Sequence, residues 1–417
     1  MSVFNFFSGS IFLVVSTIGG LILFFSSGIS LHHLWGAVAT DWFLFDSLSF
    51  YLVTLVSLLG LLCLTSLSST LGNSTLFLLA VSLSFSCLCF CVNHAVLFWC
   101  FYELSMLPLL FLIFKDSPYS ERFLAGWYFA VYLLVTSLPL ILILLYLGVL
   151  NSSFILSEWQ NQNGLLLVYI VLCFVFFTKV PLAPFHTWLP IVHAEATSIV
   201  SIFLSGYIMK LGLLGVFRCG SFLFDSSFLP YLFFCCVLSV FFMLVASGEM
   251  DGKRWLAFLS LSHIVVAFLA FFIGSWESIS LSFIFCLGHG LSAGLVFGLL
   301  WLFYDMTNSR NWVLLKDGVS GSSITMYSLL AFLSLCSFPP TIQFFCEVNL
   351  LMDSSISVYL FLFWSCYLFL GGLVPLVLCG HTLIRTEGME AACYTSSCFY
   401  SLFFYLCLWC YFGVFIL

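Results

Sequence analysis

The sequence predicts an all-α polytopic membrane protein with about 13 transmembrane helices, and two observations point to this class. Of the 417 residues, 63% are hydrophobic and only 6% are charged, whereas soluble domains carry roughly 25% charged residues. The apolar runs are also continuous and long, while the strands of a membrane β-barrel alternate polar and apolar residues over about ten positions. The composition therefore excludes a water-soluble domain and favours membrane-spanning helices.

Thirteen segments satisfy the rule that about twenty apolar residues cross the hydrocarbon of a bilayer. Those beginning near Gly164 and Ser323 are too long for simple spans and contain prolines, so each is predicted to form two half-helices. No long polar stretch separates the segments, which predicts a single antiporter-like membrane domain over residues 1–417. The segments begin near Val3, Leu44, Thr75, Ala95, Arg122, Gly164, Thr197, Phe228, Trp255, Ser278, Ser323, Ser357 and Tyr394.

The two predicted breaks lie five segments apart in the chain. Pro181 interrupts segment six and Pro339 interrupts segment eleven. An odd number of spans per repeat places the second copy upside down, and inverted repeats with discontinuous helices are typical of transporters. We therefore predict two inverted five-helix repeats, over about residues 75–218 and 228–381.

Basic residues outside the spans fall almost entirely in the loops after even-numbered segments, which we call the even side. Arg218, after segment seven, lies on the opposite side. Because Lys and Arg are enriched in loops on the cytoplasmic or matrix side, the even side is predicted to face that compartment, with the N-terminus there and the C-terminus outside. The even-side basic residues are Lys115, Arg122, Lys253, Arg254, Arg310, Lys316 and Arg385.

Six ionisable side chains are predicted to lie at membrane depth, where a charge at a helix centre costs about 2.5–3.5 kcal/mol. Such groups must pair with one another or meet water. Burial and pairing act in opposite directions on proton affinity, so each group can be switched by the approach of a partner, as in a proton relay. The six residues are Glu103, Lys179, Lys210, His263, His289 and Glu347.

Each of these residues also has a structural interpretation. Glu103 and Lys179 are consistent with a static buried ion pair, and Lys210 is consistent with a side chain that extends to the nearer interface. The two histidines of the set are equally compatible with neutral packing residues. His186 and His193, near the end of the first broken segment, are compatible with an interfacial position.

The sequence gives no sign of a bound cofactor. The 18 cysteines show no spacing typical of zinc or iron–sulfur sites, and Cys407 with Cys410 forms a lone C-x-x-C in the last span. Dinucleotide-binding and Walker A motifs are also absent, so we expect no cofactor, no metal and no nucleic acid on this chain. The N-terminus has no basic residue, which argues against a transit peptide, and 52 phenylalanines fit an organelle-encoded gene.

Five stretches of the chain are distinctive: FYELSMLP, TKVPLAPFHTWLPIVHAEA, YIMKLGLLGVFR, LGHGLSAGLVFGLLWLFYDMTNSRN and FPPTIQFFCEVNLL. They resemble the antiporter-like membrane subunits of NADH:ubiquinone oxidoreductase (respiratory complex I), over roughly Asp46 to Leu351. The order H-x-W-L-P and H-x-E-A, with a lysine in K-L-G-x-x-G, favours the mitochondrial subunit 4 family over the related subunits 2 and 5. The Mrp-type cation/proton antiporter subunits are relatives.

This resemblance implies a role for each of the six residues. Glu103 matches the membrane glutamate of the family, Lys179 the lysine of its first broken helix and Lys210 its connecting lysine. The other three match the histidines of the central hydrophilic axis and the terminal acidic residue of the second broken helix. The implied function is proton translocation by a subunit without a redox centre, driven by quinone reduction elsewhere in the complex.

The resemblance also implies a setting. It places the chain in the mitochondrial inner membrane beside the antiporter-like subunits 2 and 5 and lipids, with NAD, FMN, iron–sulfur clusters and ubiquinone on other subunits. Two features depart from the family pattern. Thirteen spans are predicted where the family usually has fourteen, as if the first helix were missing, and Thr197 stands where the family commonly has proline.

Two other classes of function are compatible with the same residues. A Mrp-like cation/proton antiporter would have the same ionisable row but no electron-transfer partner. A membrane scaffold would tolerate loss of the buried charges.

Overall fold

The computed structural model describes residues 38–415 apart from 41, 160–165, 221–223, 225–227, 317–321, 355–356 and 385–395. A short antiparallel sheet pairs β1 (Val38–Ala39) with β2 (Leu44–Phe45), and the remaining regular structure of the described residues is helical, so the predicted all-α class is confirmed. The helices are α1 (Ser47–Ser66), α2 (Asn73–Cys91), α3 (Ala95–Asp116), α4 (Arg122–Leu150), α5 (Leu166–Lys179), α6 (Trp188–Glu195), α7 (Ser198–Gly220), α8 (Leu229–Gly248), α9 (Gly252–Ile273), α10 (Trp276–Thr307), α11 (Trp312–Leu315), α12 (Ser322–Leu335), α13 (Ile342–Ser354), α14 (Val358–Leu383) and α15 (Ser396–Phe412), with 3₁₀ turns at Leu156–Glu158 and Gly413–Phe415.

Ten helices of the described residues are long and apolar enough to cross a membrane, and two shorter apolar helices, α5 and α12, each begin a broken span. Together they account for twelve of the thirteen predicted segments. The first predicted segment, near Val3, lies outside the described residues. The largest difference between a predicted and an observed helix start is three residues, for example Ser47 against the predicted Leu44.

Both proline-containing segments are broken, as predicted. The first break separates α5 from α6 and the second separates α12 from α13. Proline lacks the backbone N–H and disfavours helical conformation in the residue before it, so a helix ends there. Inside the first break the indole N–H of Trp188 donates to the carbonyl of Thr178 at 3.0 Å, which satisfies a freed backbone group at membrane depth. The boundaries of the two repeats stay a prediction.

Three helices form the interior of the bundle. α7, α9 and α10 are almost entirely buried, whereas α2, α4, α8 and α14 bury well under half of their residues. Glycines allow α10 to approach α1 closely, because a Cβ at Gly290 or Gly294 would lie 2.6 Å or 2.7 Å from the side chains of Leu55 or Leu59. The interior helices are also the ones that carry three of the six predicted ionisable residues.

Arg310 joins several loops of the even side. Its guanidinium forms ion pairs with Glu195 at 3.4 Å and with Asp251 at 3.3 Å, and it lies 4.3 Å from the ring centroid of Tyr119. Its carbonyl accepts the backbone N–H of Gly252 at 3.0 Å. One side chain therefore links the end of α6, the start of α9, the α3–α4 loop and the segment after α10.

We expect Arg310→Met to reduce the free energy of unfolding by about 1–3 kcal/mol, because two partly buried carboxylates lose their common partner. The measurement is the melting temperature of the purified protein in detergent. Lys115→Met is the matched control, since among the residues described the exposed Lys115 ammonium donates only to the exposed hydroxyl of Ser74. Equal melting temperatures for the two variants would contradict the linking role of Arg310.

Candidate functional site

Glu103 on α3 and Lys179 at the end of α5 form a buried ion pair. The Lys179 Nζ lies 3.6 Å from Oε1 of Glu103, and their side chains are 0% and 10% exposed. The same ammonium donates to the carbonyl of Leu133 on α4 and lies 5.1 Å from the ring centroid of Tyr102. A charge-assisted hydrogen bond is usually about 2.7–2.9 Å long, so the carboxylate is a loose partner that can separate while the carbonyl and the ring still hold the lysine.

Lys210 on α7 is fully buried and donates to the carbonyl of Ser205 on the same helix. Within the described part of the chain, no carboxylate forms an ion pair with it. The ammonium therefore stays inside the bundle instead of extending to an interface. Its only direct hydrogen-bond partner in the described residues is a neutral carbonyl.

Lys179 and Lys210 share an unusual type of partner. Leu133 belongs to a π-helical turn, Val131–Val135, and Ser205 belongs to a second one, Leu204–Ile208. π-helical turns are rare and are frequent at functional sites. Their altered hydrogen-bond register makes a backbone carbonyl available at membrane depth, and here each available carbonyl accepts a lysine ammonium.

The three remaining predicted residues lie together on neighbouring helices. Nδ1 of His263 is 2.5 Å from the hydroxyl of Tyr367, and that hydroxyl donates to Oε1 of Glu347 at 3.2 Å. The ring centroids of His263 and His289 are 5.2 Å apart, and Nδ1 of His289 lies 3.4 Å from Nε2 of Gln343. All five side chains are almost completely buried. The structure thus forms a polar chain from α10 to α13.

The described residues show three bonded groups: the Glu103–Lys179 pair, His289 with Gln343, and His263 with Tyr367 and Glu347. Lys210 lies between the first group and the two histidines. It lies close enough to His263 and His289 to act on both rings electrostatically. On its other side α7 packs tightly against the first break, because a Cβ at Gly212 would lie 3.2 Å from the Cβ of Lys179. No direct hydrogen bond joins Lys210 to either neighbouring group, so water is needed to complete the row.

Tyr367 and Gln343 belong to this polar chain but are not among the six residues predicted from the sequence. A tyrosine in an apolar run gives no local signal, and only the spacing of the buried α14 residues Phe363, Tyr367 and Gly371 suggests an inward face. Gln343 follows the double proline of the second broken span. A polar amide at such a break indicates a position that faces protein or water instead of lipid.

His193 lies two residues before Glu195, which pairs with Arg310 on the even side, so the structure is compatible with an interfacial depth for this histidine. The residue is fully buried, its ring stacks on Phe297 with centroids 4.9 Å apart, and neither ring nitrogen has a hydrogen-bond partner in the residues described. Both Lys210 and Lys253 act on it electrostatically. His193 therefore extends the row of titratable groups toward the even side.

A polar cavity of about 310 Å³ lies on the even side. Asp116, Asp305 and Tyr119 are among its lining residues. The buried Lys253 donates to the Tyr119 hydroxyl at 3.3 Å and to the carbonyl of Ala196 at 2.9 Å. The cavity is large enough for several water molecules, and it ends close to a buried ammonium.

In the described residues, no three His, Cys, Asp or Glu side chains converge as metal ligands. The expectation that the chain binds no cofactor stays a prediction.

Curated relatives agree with the resemblance. The chain is 28% identical over 318 residues to NADH-ubiquinone oxidoreductase chain 4 of Rhipicephalus sanguineus, covering 74% of this chain and 72% of that protein. It is 30% identical to chain 4 of Ascaris suum, covering 66% and 67%. The match to chain 4 of Locusta migratoria is 31% identical, covering 66% of this chain and 61% of that protein.

Solved structures share the fold. A chain of respiratory complex I from Thermus thermophilus superposes with a TM-score of 0.82 at 22% identity, covering 96% of this chain and 90% of that one. A chain of the Mrp complex from Dietzia sp. gives a TM-score of 0.74 at 16% identity, covering 92% and 79%. At these identities the likeness concerns the fold alone.

A family model described as "NADH:quinone oxidoreductase/Mrp antiporter, TM" matches residues 92–373, which is more than half of the chain. The matched range contains all six predicted ionisable residues, both breaks and both π-helical turns. The sequence-based resemblance is thereby confirmed, and the chain belongs to the NADH:quinone oxidoreductase/Mrp antiporter transmembrane family.

Proposed function

We propose that this chain is a proton-translocating membrane-arm subunit of an NADH:ubiquinone oxidoreductase. The observation that carries the proposal is the row of buried titratable side chains, half of which lie on the interior helices α7, α9 and α10, and all of which contact other protein groups. Protons move laterally from the Glu103–Lys179 pair through Lys210 to the histidines and Glu347. The relatives named NADH-ubiquinone oxidoreductase chain 4 support this function.

The Glu103–Lys179 pair acts as the switch in this proposal. At 3.6 Å and an effective dielectric constant of 20, the attraction between the two charges is about 5 kcal/mol. Moving one proton against 100 mV costs about 2.3 kcal/mol. Separating the pair therefore changes the energy of the lysine's proton by an amount sufficient to drive it along the row.

The energy for that separation comes from quinone reduction elsewhere in the complex. Other subunits hold the NAD, FMN, iron–sulfur clusters and ubiquinone, and this chain contacts other complex I membrane subunits, notably antiporter-like subunits 2 and 5. Lipids cover the exposed apolar faces of helices such as α4 and α14. Isolated from its partners, the chain should not pump protons.

The chain lies in the mitochondrial inner membrane, with its N-terminus in the matrix and its C-terminus in the intermembrane space. The positive-inside pattern supports this orientation, and Arg122, Lys253 and Arg310 all lie around the same even-side loops. In this orientation the polar cavity beside Asp305 opens toward the matrix.

A Mrp-like cation/proton antiporter subunit is the second candidate, because a Mrp chain shares the fold. The two candidates differ in their partners. Co-purification of the chain with iron–sulfur subunits supports the oxidoreductase, and exchange of Na⁺ for H⁺ without them supports the antiporter.

We expect Lys179→Met to reduce NADH-driven proton pumping about tenfold or more, because it removes the exchangeable proton at the switch. Pumping is measured as acidification in vesicles containing the intact complex, normalised to assembled complex. Lys115→Met is the control, since it removes an exposed lysine at the even-side end of α3. Unaltered pumping in Lys179→Met would favour the scaffold interpretation.

We expect Glu347→Gln to lower pumping by a similar factor. The amide keeps the size of the side chain and still accepts a hydrogen bond from Tyr367, but it cannot take up a proton. The control is Glu277→Gln, at an exposed position in the first turn of α10. Equal pumping rates for the two variants would show that Glu347 is not part of the proton path.

A further inference from the structure

We propose that the hydroxyl group of Tyr367 carries protons between His263 and Glu347. This inference rests on the proposed function and adds a proton-carrying residue to it. Its basis is that one hydroxyl contacts both groups, at 2.5 Å from Nδ1 of His263 and 3.2 Å from Oε1 of Glu347. Tyr367 is 1% exposed, so bulk water does not compete for these contacts.

The hydrogen bonds define a direction along the chain. Because the Tyr367 hydroxyl donates to Glu347, its oxygen accepts from Nδ1–H of His263. The neutral His263 ring then has an unprotonated Nε2, which lacks a partner in the described residues.

His289 has the complementary arrangement. The amide nitrogen of Gln343 donates to its Nδ1, so the neutral His289 ring carries its proton on Nε2. That nitrogen also lacks a partner in the residues described. The two ring centroids are 5.2 Å apart and the two Nε2 atoms are not bonded to each other, so the proton passes from His289 to His263 through water.

The transfer step balances with these groups alone. An incoming proton on Nε2 makes His263 an imidazolium. The Nδ1–H bond breaks as that proton joins the phenol oxygen, and the phenol O–H bond breaks as its proton joins the Glu347 carboxylate. The products are neutral His263, intact Tyr367 and neutral glutamic acid. Two changes reset the step after Glu347 has released its proton. The new hydroxyl hydrogen rotates toward Glu347, and the His263 ring returns to its starting tautomer as Nε2 gives a proton to water and Nδ1 takes one from water.

The surroundings of Tyr367 hold its ring in place for this step. Phe363 and Trp364 on α14 pack against it with centroid distances of 5.5 Å and 5.6 Å, and the His263 ring meets it edge-on at 5.7 Å. A phenol held in place between two oriented partners keeps its oxygen in the geometry that proton transfer requires, whereas a disordered water does not.

The test is Tyr367→Phe in the intact complex, which removes one oxygen atom and keeps the ring. We expect proton pumping to fall about tenfold and the solvent deuterium isotope effect on pumping to rise, because a slowed proton transfer becomes rate-limiting. Tyr367→His, which again offers a donor and an acceptor, should pump better than Tyr367→Phe. The matched control is Tyr411→Phe, since the Tyr411 hydroxyl donates to the Leu330 carbonyl at 2.7 Å on α12, outside the proton path.

Several outcomes would overturn the proposal. One is an assembled Tyr367→Phe complex with unchanged pumping and isotope effect, while Glu347→Gln abolishes pumping; the proposed function then stands and Tyr367 has no part in it. Another is failure of both Tyr367 variants to assemble while Tyr411→Phe assembles, which would make the hydroxyl structural. If Lys179→Met and Glu347→Gln both pump normally, the proposed function itself fails.

Discussion

An ammonium group transferred from water to a membrane interior loses several kcal/mol of hydration, and Lys179 offsets that loss with three neighbours. The Glu103 carboxylate, the Leu133 carbonyl and the Tyr102 ring come from different directions. None of them is an ideal partner alone. All three partners meet at the end of α5. They are brought there by the first helix break, by the π-helical turn of α4 and by the packing of α3, so these features together stabilise one cation.

The same constraint applies to Lys210 and the two histidines, but their partners differ. Lys210 has a carbonyl and no carboxylate in the described residues, and the histidines are hydrogen-bonded to the neutral side chains of Tyr367 and Gln343. A positive charge on Lys210 therefore disfavours a second positive charge on the neighbouring rings. Protons in this region move most easily one at a time.

Hydropathy predicted the helices well because crossing a bilayer demands about twenty apolar residues regardless of sequence detail. The prolines predicted both breaks for an equally local reason. Hydropathy does not tell which side of a helix faces the interior, since lipid and a protein core are both apolar. For that reason the burial of His193, the inward position of Tyr367 and the carbonyl partner of Lys210 emerged only from the packed structure. Ion pairs such as that of Arg310 with Glu195 join distant parts of the chain and leave no local pattern.

α10 contains 32 residues, so it is about 48 Å long, against a hydrocarbon thickness of about 30 Å. It must tilt or project beyond the bilayer. No proline interrupts it, His289 lies near its middle, and its even-side end is followed closely by the Arg310 cluster. One continuous helix consequently joins the even-side surface to the centre of the proton row. A change in the tilt of α10 therefore moves its even-side end and the His289 imidazole together, because both belong to one continuous element.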